Sequence, residues 1–410
     1  MKPLAEIELT GLVFGGDAIG RLSDGRPIFV PFGIPGEKVR VEIVEEKANY
    51  SRGRILDILT SSPSRIHPLC KHYGVCGGCH YQHLSYADQL KFKQEIVKDQ
   101  LKRIGKFTEP PVEPILPSAN EWNYRNTVQF HLSPKGKPGY QQAGSNQIVE
   151  ISECHLPLPA INATWPQLEI EPSSGVDRIT LREGNDGDLL LGLEGNSDTA
   201  PEFEVDFPLS AVYLGSQSEI LLSGDPYTLM RVKERDFLVS AGSFFQVNLP
   251  QAEKMVELVV QLLNPNSTDT ILDGYCGVGL FSAFIAPKVK KVIGIELSES
   301  ACSDYAQNMD EFDNVELYVG LAEQILPSLK VNPTKVVVDP PRAGLDKSVV
   351  DALLKISPEL IVYVSCDPST LARDARRFVE SGYELTSVTP LDLFPQTYHI
   401  ECIALLSRGA

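Results

Sequence analysis

The stretch DTILDGYCGVGLFSAFIAPKVKKVIGIEL, residues 269–297, sets a short apolar run, a glycine-containing loop, a helix pattern and a second apolar run in immediate succession. Both runs are continuous rather than alternating, which predicts strands buried on two faces, hence a parallel sheet covered by helices. The rhythm persists outward. QAEKMVELVVQLL precedes it as a helix, and SESACSDYAQNMDEF, VELYV, KVVVD, KSVVDALLKIS and LIVYVS follow as helix, strand, strand, helix and strand. Residues 251–410 therefore predict an α/β, doubly wound, Rossmann-like domain with its ligands at the carboxyl ends of the strands.

Upstream the pattern changes. Residues 1–62 read as short alternating strands, KVRVEIVEE being the plainest, separated by the turn signals GG, SDG and IPG. A small OB-like β-barrel, a common platform for single-stranded RNA, fits them. Residues 63–250 open with the linker-like SSPSRIHP, three closely spaced cysteines and a Lys-rich helix from about Tyr86 to Ile104, then continue as a strand-rich central domain.

The length of 410 residues suits two or three domains, and 42% apolar residues suffice for their cores. No apolar run approaches the roughly 20 residues that span a bilayer, and MKPLAEIELT lacks the pattern of a signal peptide, so the expected location is the cytoplasm. The net charge of −17 argues against nucleic acid as a partner only on average. Residues 1–110 hold 16 Lys and Arg against 13 Asp and Glu, so an RNA-binding face belongs in this third; a solvated helix face at KFKQEIVKDQLKRIGK is the competing reading.

Taken in order, the strand ends carry the chemistry. Gly277 and Gly279 let the backbone pass close to a ligand, and Glu296 lies 17 residues beyond Gly279, placed to accept hydrogen bonds from a ribose diol. The full G-x-G-x-x-G is missing, which disfavours a dinucleotide and leaves an adenosine-containing ligand without a pyrophosphate, most commonly S-adenosylmethionine. Asp339 follows the fourth strand in VVVDPPRAGL. Enzymes methylating exocyclic amines tend to place an aromatic after such a Pro-Pro pair; here Arg342 follows. Cys366 then stands at a strand-to-helix junction in VYVSCDPSTLARD, where a thiol can reach a ligand. A pyrimidine C5 is a poor nucleophile until a thiolate adds at C6, and a base must afterwards remove the C5 proton. Glu401, between apolar residues of DLFPQTYHIECIALL, is hard to explain as packing; His399 is the competing base, although a structural histidine is its commoner role. Cys276, Cys302 and Cys402 sit in packing or loop patterns with no second chemical group.

The motifs SFFQVN, DGYCGVGLFS, GIELS, VVVDPPRAGL, YVSCDPSTLARD and DLFPQTYHIE, in this order over nearly the whole chain, resemble the RNA uracil-C5 methyltransferases that act on 23S ribosomal RNA and tRNA. The resemblance implies that Cys366 is the nucleophile and Glu401 the proton-abstracting base. It further implies that Gln246, Tyr275, Glu296 and Asp339 line the S-adenosylmethionine site, and that the first 60 residues are a TRAM domain. Two positions depart from it: Leu280, where many members carry Asn, and Leu321, where many carry a polar residue. Their loss implies weaker cofactor binding or adenine recognition by backbone groups.

Cys70, Cys76 and Cys79 in CKHYGVCGGC, with Cys154, remain. By spacing alone they suit tetrahedral zinc or a [4Fe-4S] cluster equally, and they are not the C-x3-C-x2-C of radical S-adenosylmethionine enzymes. In the family resembled, this pattern ligates an iron-sulfur cluster, which would staple the central domain and help shape the RNA surface. The expected activity is 5-methyluridine formation in structured RNA. The TRAM-like domain and the four cysteines favour 23S ribosomal RNA over tRNA. The rivals are cytosine-C5 methylation, which usually shows a Pro-Cys motif where this chain has DPPR, and a non-catalytic RNA-binding or ribosome-assembly factor.

Overall fold

The computed structural model describes residues 3–409. Strands β1 (Leu4–Leu12), β2 (Ala18–Arg21), β3 (Pro27–Val30), β4 (Lys38–Glu46) and β5 (Ser51–Thr60) form a closed barrel in the order β1-β2-β3-β5-β4. Alternation decides which side chains fill it: Ile7, Leu9, Ile28, Val30, Val39 and Val41 point inward.

Helix α1 (Tyr86–Arg103) starts where the Ser85 hydroxyl accepts the Asp88 N–H. Its inner stripe, Ile96, Val97 and Leu101, is buried in a cluster shared with the C-terminal sheet, and each side chain contributes at most about 2 kcal/mol. Neither an RNA face nor a solvated face describes that stripe. Only the outer residues of this Lys-rich helix meet solvent.

The central region holds β6 (Thr127–Leu132), β7 (Pro138–Gln141), β8 (Ile148–Glu150), α2 (Pro159–Thr164), β9 (Val176–Glu183), β10 (Leu189–Gly195), β11 (Ser210–Leu214) and β12 (Glu219–Ser223). Its sheet runs β12-β11-β10-β9-β6-β7-β8. A hairpin of β13 (Tyr227–Val232) and β14 (Arg235–Ser240) follows, and its Met230, Val232, Phe237 and Val239 are buried with the helices of the next unit.

That unit contains α3 (Leu249–Leu263), β15 (Thr270–Gly274), α4 (Leu280–Ile285), β16 (Lys291–Glu296), α5 (Glu299–Asn308), β17 (Val315–Val319), α6 (Ala322–Ile325), β18 (Lys335–Val338), α7 (Lys347–Ile356), β19 (Leu360–Ser365), α8 (Pro368–Glu380), β20 (Tyr383–Leu391) and β21 (Glu401–Arg408). The sheet order is β17-β16-β15-β18-β19-β21-β20, with β21 alone antiparallel to its neighbours. Helices α3 to α5 flank one face and α1, α7 and α8 the other, so the apolar strands are covered on both sides. The order reverses between β15 and β18, which opens the crevice where a doubly wound sheet binds its ligand.

Candidate active site

The loop after β15 is pinned across the crevice. Tyr275, at φ +65°, and Cys276 both donate their N–H groups to the Ile295 carbonyl, at 2.9 and 3.1 Å. The Gly277 N–H donates to Glu296 Oε2 at 2.9 Å, while Glu296 Oε1 accepts the Leu297 and Ser298 N–H groups, each at 2.8 Å. Three of the carboxylate's roughly four lone-pair sites are thus used, and the vacant one is on Oε2, available to a single hydroxyl. The two glycines differ in role. A Cβ on Gly277 would meet nothing within 4 Å, so this is the side a ligand can approach; one on Gly279 would meet Met309 Cε at 2.9 Å and Tyr305 Cδ2 at 3.1 Å. Gly279 serves internal packing.

Asp273, which the sequence reading used only as a strand end, is fully buried. Its Oδ2 accepts the Ser282 hydroxyl at 2.6 Å and N–H at 3.0 Å, while Oδ1 has no partner. Burial pushes its carboxyl up to about 7 against those hydrogen bonds. The sequence offers only an acid next to the end of an otherwise apolar strand, a pattern that does not tell burial from exposure.

Cys366, Asp339 and Glu401 come together at the other end of the crevice. Asp367 caps α8 by accepting the Ser369 and Thr370 N–H groups at 2.8 and 3.2 Å, and Pro368 occupies the first turn, so the chain turns sharply just past Cys366. Ser365 pairs with Cys402 across β19 and β21, which sets Cys366 opposite Glu401. Glu401 is 4% exposed, and its carboxyl lies well above the usual range because of burial and the nearby Asp339. Asp339 is pushed up to about 7 by burial and by Asp273. Burial, then the charges of Glu401 and Asp339, hold the Cys366 thiol up at about 12, with Arg342 opposing them. His399 contacts the Arg342 guanidinium through Nδ1 at 3.4 Å and is held down to about 3 by burial and that cation, so it stays neutral.

Gln246 is buried on the segment between β14 and α3, its carbonyl accepting Asn126 Nδ2 at 3.0 Å. The adjoining Ser243 hydroxyl meets that of Ser300 at 2.8 Å, which sets the segment beside the start of α5. Phe244 is 70% exposed, and Leu297, Val319 and Leu321 are exposed at the ends of β16 and β17. Leu280 instead is buried in the core. Of these only Leu321 stood out from sequence, as a departure from the family pattern; for Phe244, Leu297 and Val319 large apolar side chains flanking polar strand ends were the available sign.

Cys70, Cys76, Cys79 and Cys154 line one pocket with Tyr73, Arg125 and Tyr140. Burial raises all four thiols. The Arg125 guanidinium at this pocket makes one hydrogen bond, of 3.4 Å to Tyr124 Oη, lies over the Tyr124 and Phe394 rings at 5.8 and 5.9 Å, and has no carboxylate partner among the described residues. Among the described residues no three His, Cys, Asp or Glu side chains are grouped so as to hold a single metal ion. Nor is any helix long and apolar enough to cross a membrane.

Comparison with known proteins gives this arrangement its context. The profile of the tRNA (uracil-5-)-methyltransferase family matches residues 226–331 and 325–409, and that of the TRAM domain matches residues 5–56. The chain is 32% identical to an uncharacterized RNA methyltransferase of Halalkalibacterium halodurans, over 98% of this chain and 96% of that one. It is 34% identical to another from Clostridium tetani, over 97% and 95%. A crystal structure of Pyrococcus abyssi tRNA (uracil-54, C5)-methyltransferase in complex with S-adenosyl-L-homocysteine superposes with a TM-score of 0.74 at 28% identity, covering 98% of this chain and all of that one. The chain belongs to the tRNA (uracil-5-)-methyltransferase family, as an S-adenosylmethionine-dependent RNA methyltransferase with an amino-terminal TRAM domain.

Proposed function

We propose that this enzyme converts one uridine of 23S ribosomal RNA to 5-methyluridine in the cytoplasm, with Cys366 as nucleophile and Glu401 as base. The observation that carries the reading is the juxtaposition of a thiol just past β19 with the buried carboxyl that opens β21, with Asp339 beside them. The uracil must leave its stack to reach them.

S-adenosylmethionine supplies the methyl group and, in its sulfonium, a positive charge. Gln246, Tyr275, Gly277, Glu296 and Asp339 would hold it, with Glu296 Oε2 taking one ribose hydroxyl and the leucines at the ends of β16 and β17 covering the adenine. Leu321 then acts by apolar contact, while Leu280 in the core leaves recognition to the backbone. The Cys366 thiolate adds to C6 and pushes the ring electrons onto C5 and O4. C5 takes the methyl as its bond to sulfur breaks. Glu401 accepts the C5 proton, the C5–C6 double bond re-forms and the thiolate is expelled. Positive charge from the sulfonium and Arg342 opposes the carboxylates and favours the ionised forms of Cys366 and Glu401.

The four-cysteine pocket fits a [4Fe-4S] cluster held by Cys70, Cys76, Cys79 and Cys154. A half-buried guanidinium without a carboxylate favours negative charge nearby, which a tetrathiolate cluster would provide. The cluster's part here is structural.

tRNA is the second reading, favoured by the full-length likeness to a tRNA (uracil-54, C5)-methyltransferase. Incubation with 5-fluorouridine-substituted RNA and S-adenosylmethionine tests both, since fluorine at C5 blocks the last proton abstraction. A denaturant-resistant adduct with ribosomal RNA, absent from Cys366→Ala, is expected. An adduct with tRNA alone would reassign the substrate, and none with either would refute the chemistry.

A further inference from the structure

Glu401 is the first residue of β21, so its side chain is aimed by the nine residues before it, 392–400. This loop is held almost wholly from outside its own sheet. Helix α1 supplies the principal ties. Lys93 Nζ, fully buried, donates to Asp392 Oδ1 at 2.6 Å and to the Phe394 carbonyl at 3.0 Å. Gln89 and Gln396 form a reciprocal pair: Gln89 Nε2 donates to Gln396 Oε1 at 2.9 Å, and the Gln396 N–H donates to Gln89 Oε1 at 3.0 Å. Gln396 has φ +69°, a conformation that a non-glycine residue keeps only where its surroundings impose it. Its carbonyl accepts the N–H groups of His80 and Tyr81 at 2.8 and 3.0 Å. Tyr124 Oη donates to the Pro395 carbonyl at 3.0 Å.

A buried ion pair is a poor source of stability, because desolvating two charges offsets their attraction; its better-attested use is fixing one arrangement among several. Here the arrangement fixed is the approach to Glu401. We propose that Gln89 and Lys93 are positioning residues for proton abstraction, acting through Asp392 and Gln396 on the loop that aims Glu401. The inference rests on the proposed roles of Cys366 and Glu401. It assigns the Lys-rich helix to the last chemical step, while addition and methyl transfer depend on Cys366 and the cofactor residues, none of which Gln89 or Lys93 hydrogen-bonds.

The test uses the full-length protein, a ribosomal RNA or tRNA transcript that the wild type methylates, and methyl-labelled S-adenosylmethionine in single turnovers. Gln89→Ala and Lys93→Met are expected to slow product formation on the order of tenfold with the S-adenosylmethionine dissociation constant unchanged. A methylated, denaturant-resistant RNA–protein adduct should build up on ordinary, unfluorinated RNA. Should either variant fail to fold, Gln396→Gly removes the side-chain half of the reciprocal pair, the bond from Gln89 Nε2, while easing the positive φ, and should show the same build-up in smaller measure. A merely structural role would lower adduct and product together. An unchanged ratio of adduct to product in the folded variants would overturn the proposal. Absence of turnover by the wild type on both RNAs would instead overturn the function on which it rests.

Discussion

Replacing Glu401 by Gln separates the proposed steps most cleanly. Glutamine keeps the shape of the side chain, so the pairing of β19 and β21 that sets this position opposite Cys366 should survive. The substitution removes a carboxyl whose charge opposes ionisation of the Cys366 thiol, held at about 12, so addition at C6 should be no slower. Loss of a positioned base costs on the order of 10² to 10⁴ in rate, or about 3–5 kcal/mol of barrier, and it falls on the last step alone. Quenched reactions with methyl-labelled S-adenosylmethionine, run on denaturing gels, should show nearly stoichiometric methylated adduct and almost no released product. Stability should change in the opposite sense. The native state holds the Glu401 proton well above the usual range, so it binds more protons than the unfolded chain, and stability is lost as pH rises from about 4.5 towards the raised native value. The variant lacks this loss, and its advantage in thermal midpoint over the wild type should widen across that window. A variant with neither adduct nor product would show that Glu401 is needed before methyl transfer; product at the wild-type rate would show that another group is the base.

A Cys366 thiol at about 12 rather than the ordinary 9.0 ionises about a thousandfold less, and after allowance for partial exposure its alkylation by iodoacetamide should be at least about a hundredfold slower than that of free cysteine; peptide mapping that finds it among the fast-labelled sites would refute the burial argument. Asp273, held up at about 7, should cost the wild type stability as pH rises from about 4 to 7, and Asp273→Asn should flatten that part of the denaturation profile; an identical slope would place the titration elsewhere. Gly279→Ala should lower the thermal midpoint through clashes with Met309 and Tyr305, whereas Gly277→Ala should mainly weaken S-adenosylmethionine binding by calorimetry; the reverse pattern would exchange their roles. Phe244→Ala should lower kcat/KM for RNA roughly 5- to 150-fold with cofactor binding intact, if this exposed ring stacks on a base. Equal activity would leave the ring without a part in recognition.

The doubly wound unit was legible because its strands are continuous apolar runs and three of them end at or just before a residue able to carry chemistry: Glu296 closes β16, and Asp339 and Cys366 directly follow β18 and β19. The alternation of KVRVEIVEE likewise announced a barrel strand, observed as β4. What stayed illegible depends on tertiary contact. Lys93 reads as one more surface lysine in a Lys-rich helix, and nothing local reveals a partner 299 residues away. The difference between Gly277 and Gly279 is equally invisible, since both need positive φ and only the packing of Tyr305 and Met309 tells them apart. Asp273 fared no better, because an acid at a strand end reads alike whether it faces solvent or a buried serine.

The overall charge of −17 is reconciled with an RNA substrate by where the charges are satisfied. Residues 167–225, which include β9 to β12 of the central sheet, hold 13 acidic residues and two basic ones, and this region should repel a polyanion. In the barrel the expected cationic face is largely neutralised: Arg26, Lys38, Arg40, Arg52 and Arg54 each contact a carboxylate. Against that background Arg342, exposed beside His399, has no carboxylate within ion-pair distance among the described residues; its one side-chain hydrogen bond is to that neutral ring. An unpaired guanidinium costs nothing in water, yet it offers a phosphate what the paired arginines have already given to carboxylates. The net charge therefore misleads as a guide to the substrate. Attraction at Arg342, beside Cys366, would draw a phosphate to the crevice through a local uncompensated charge rather than through a basic surface.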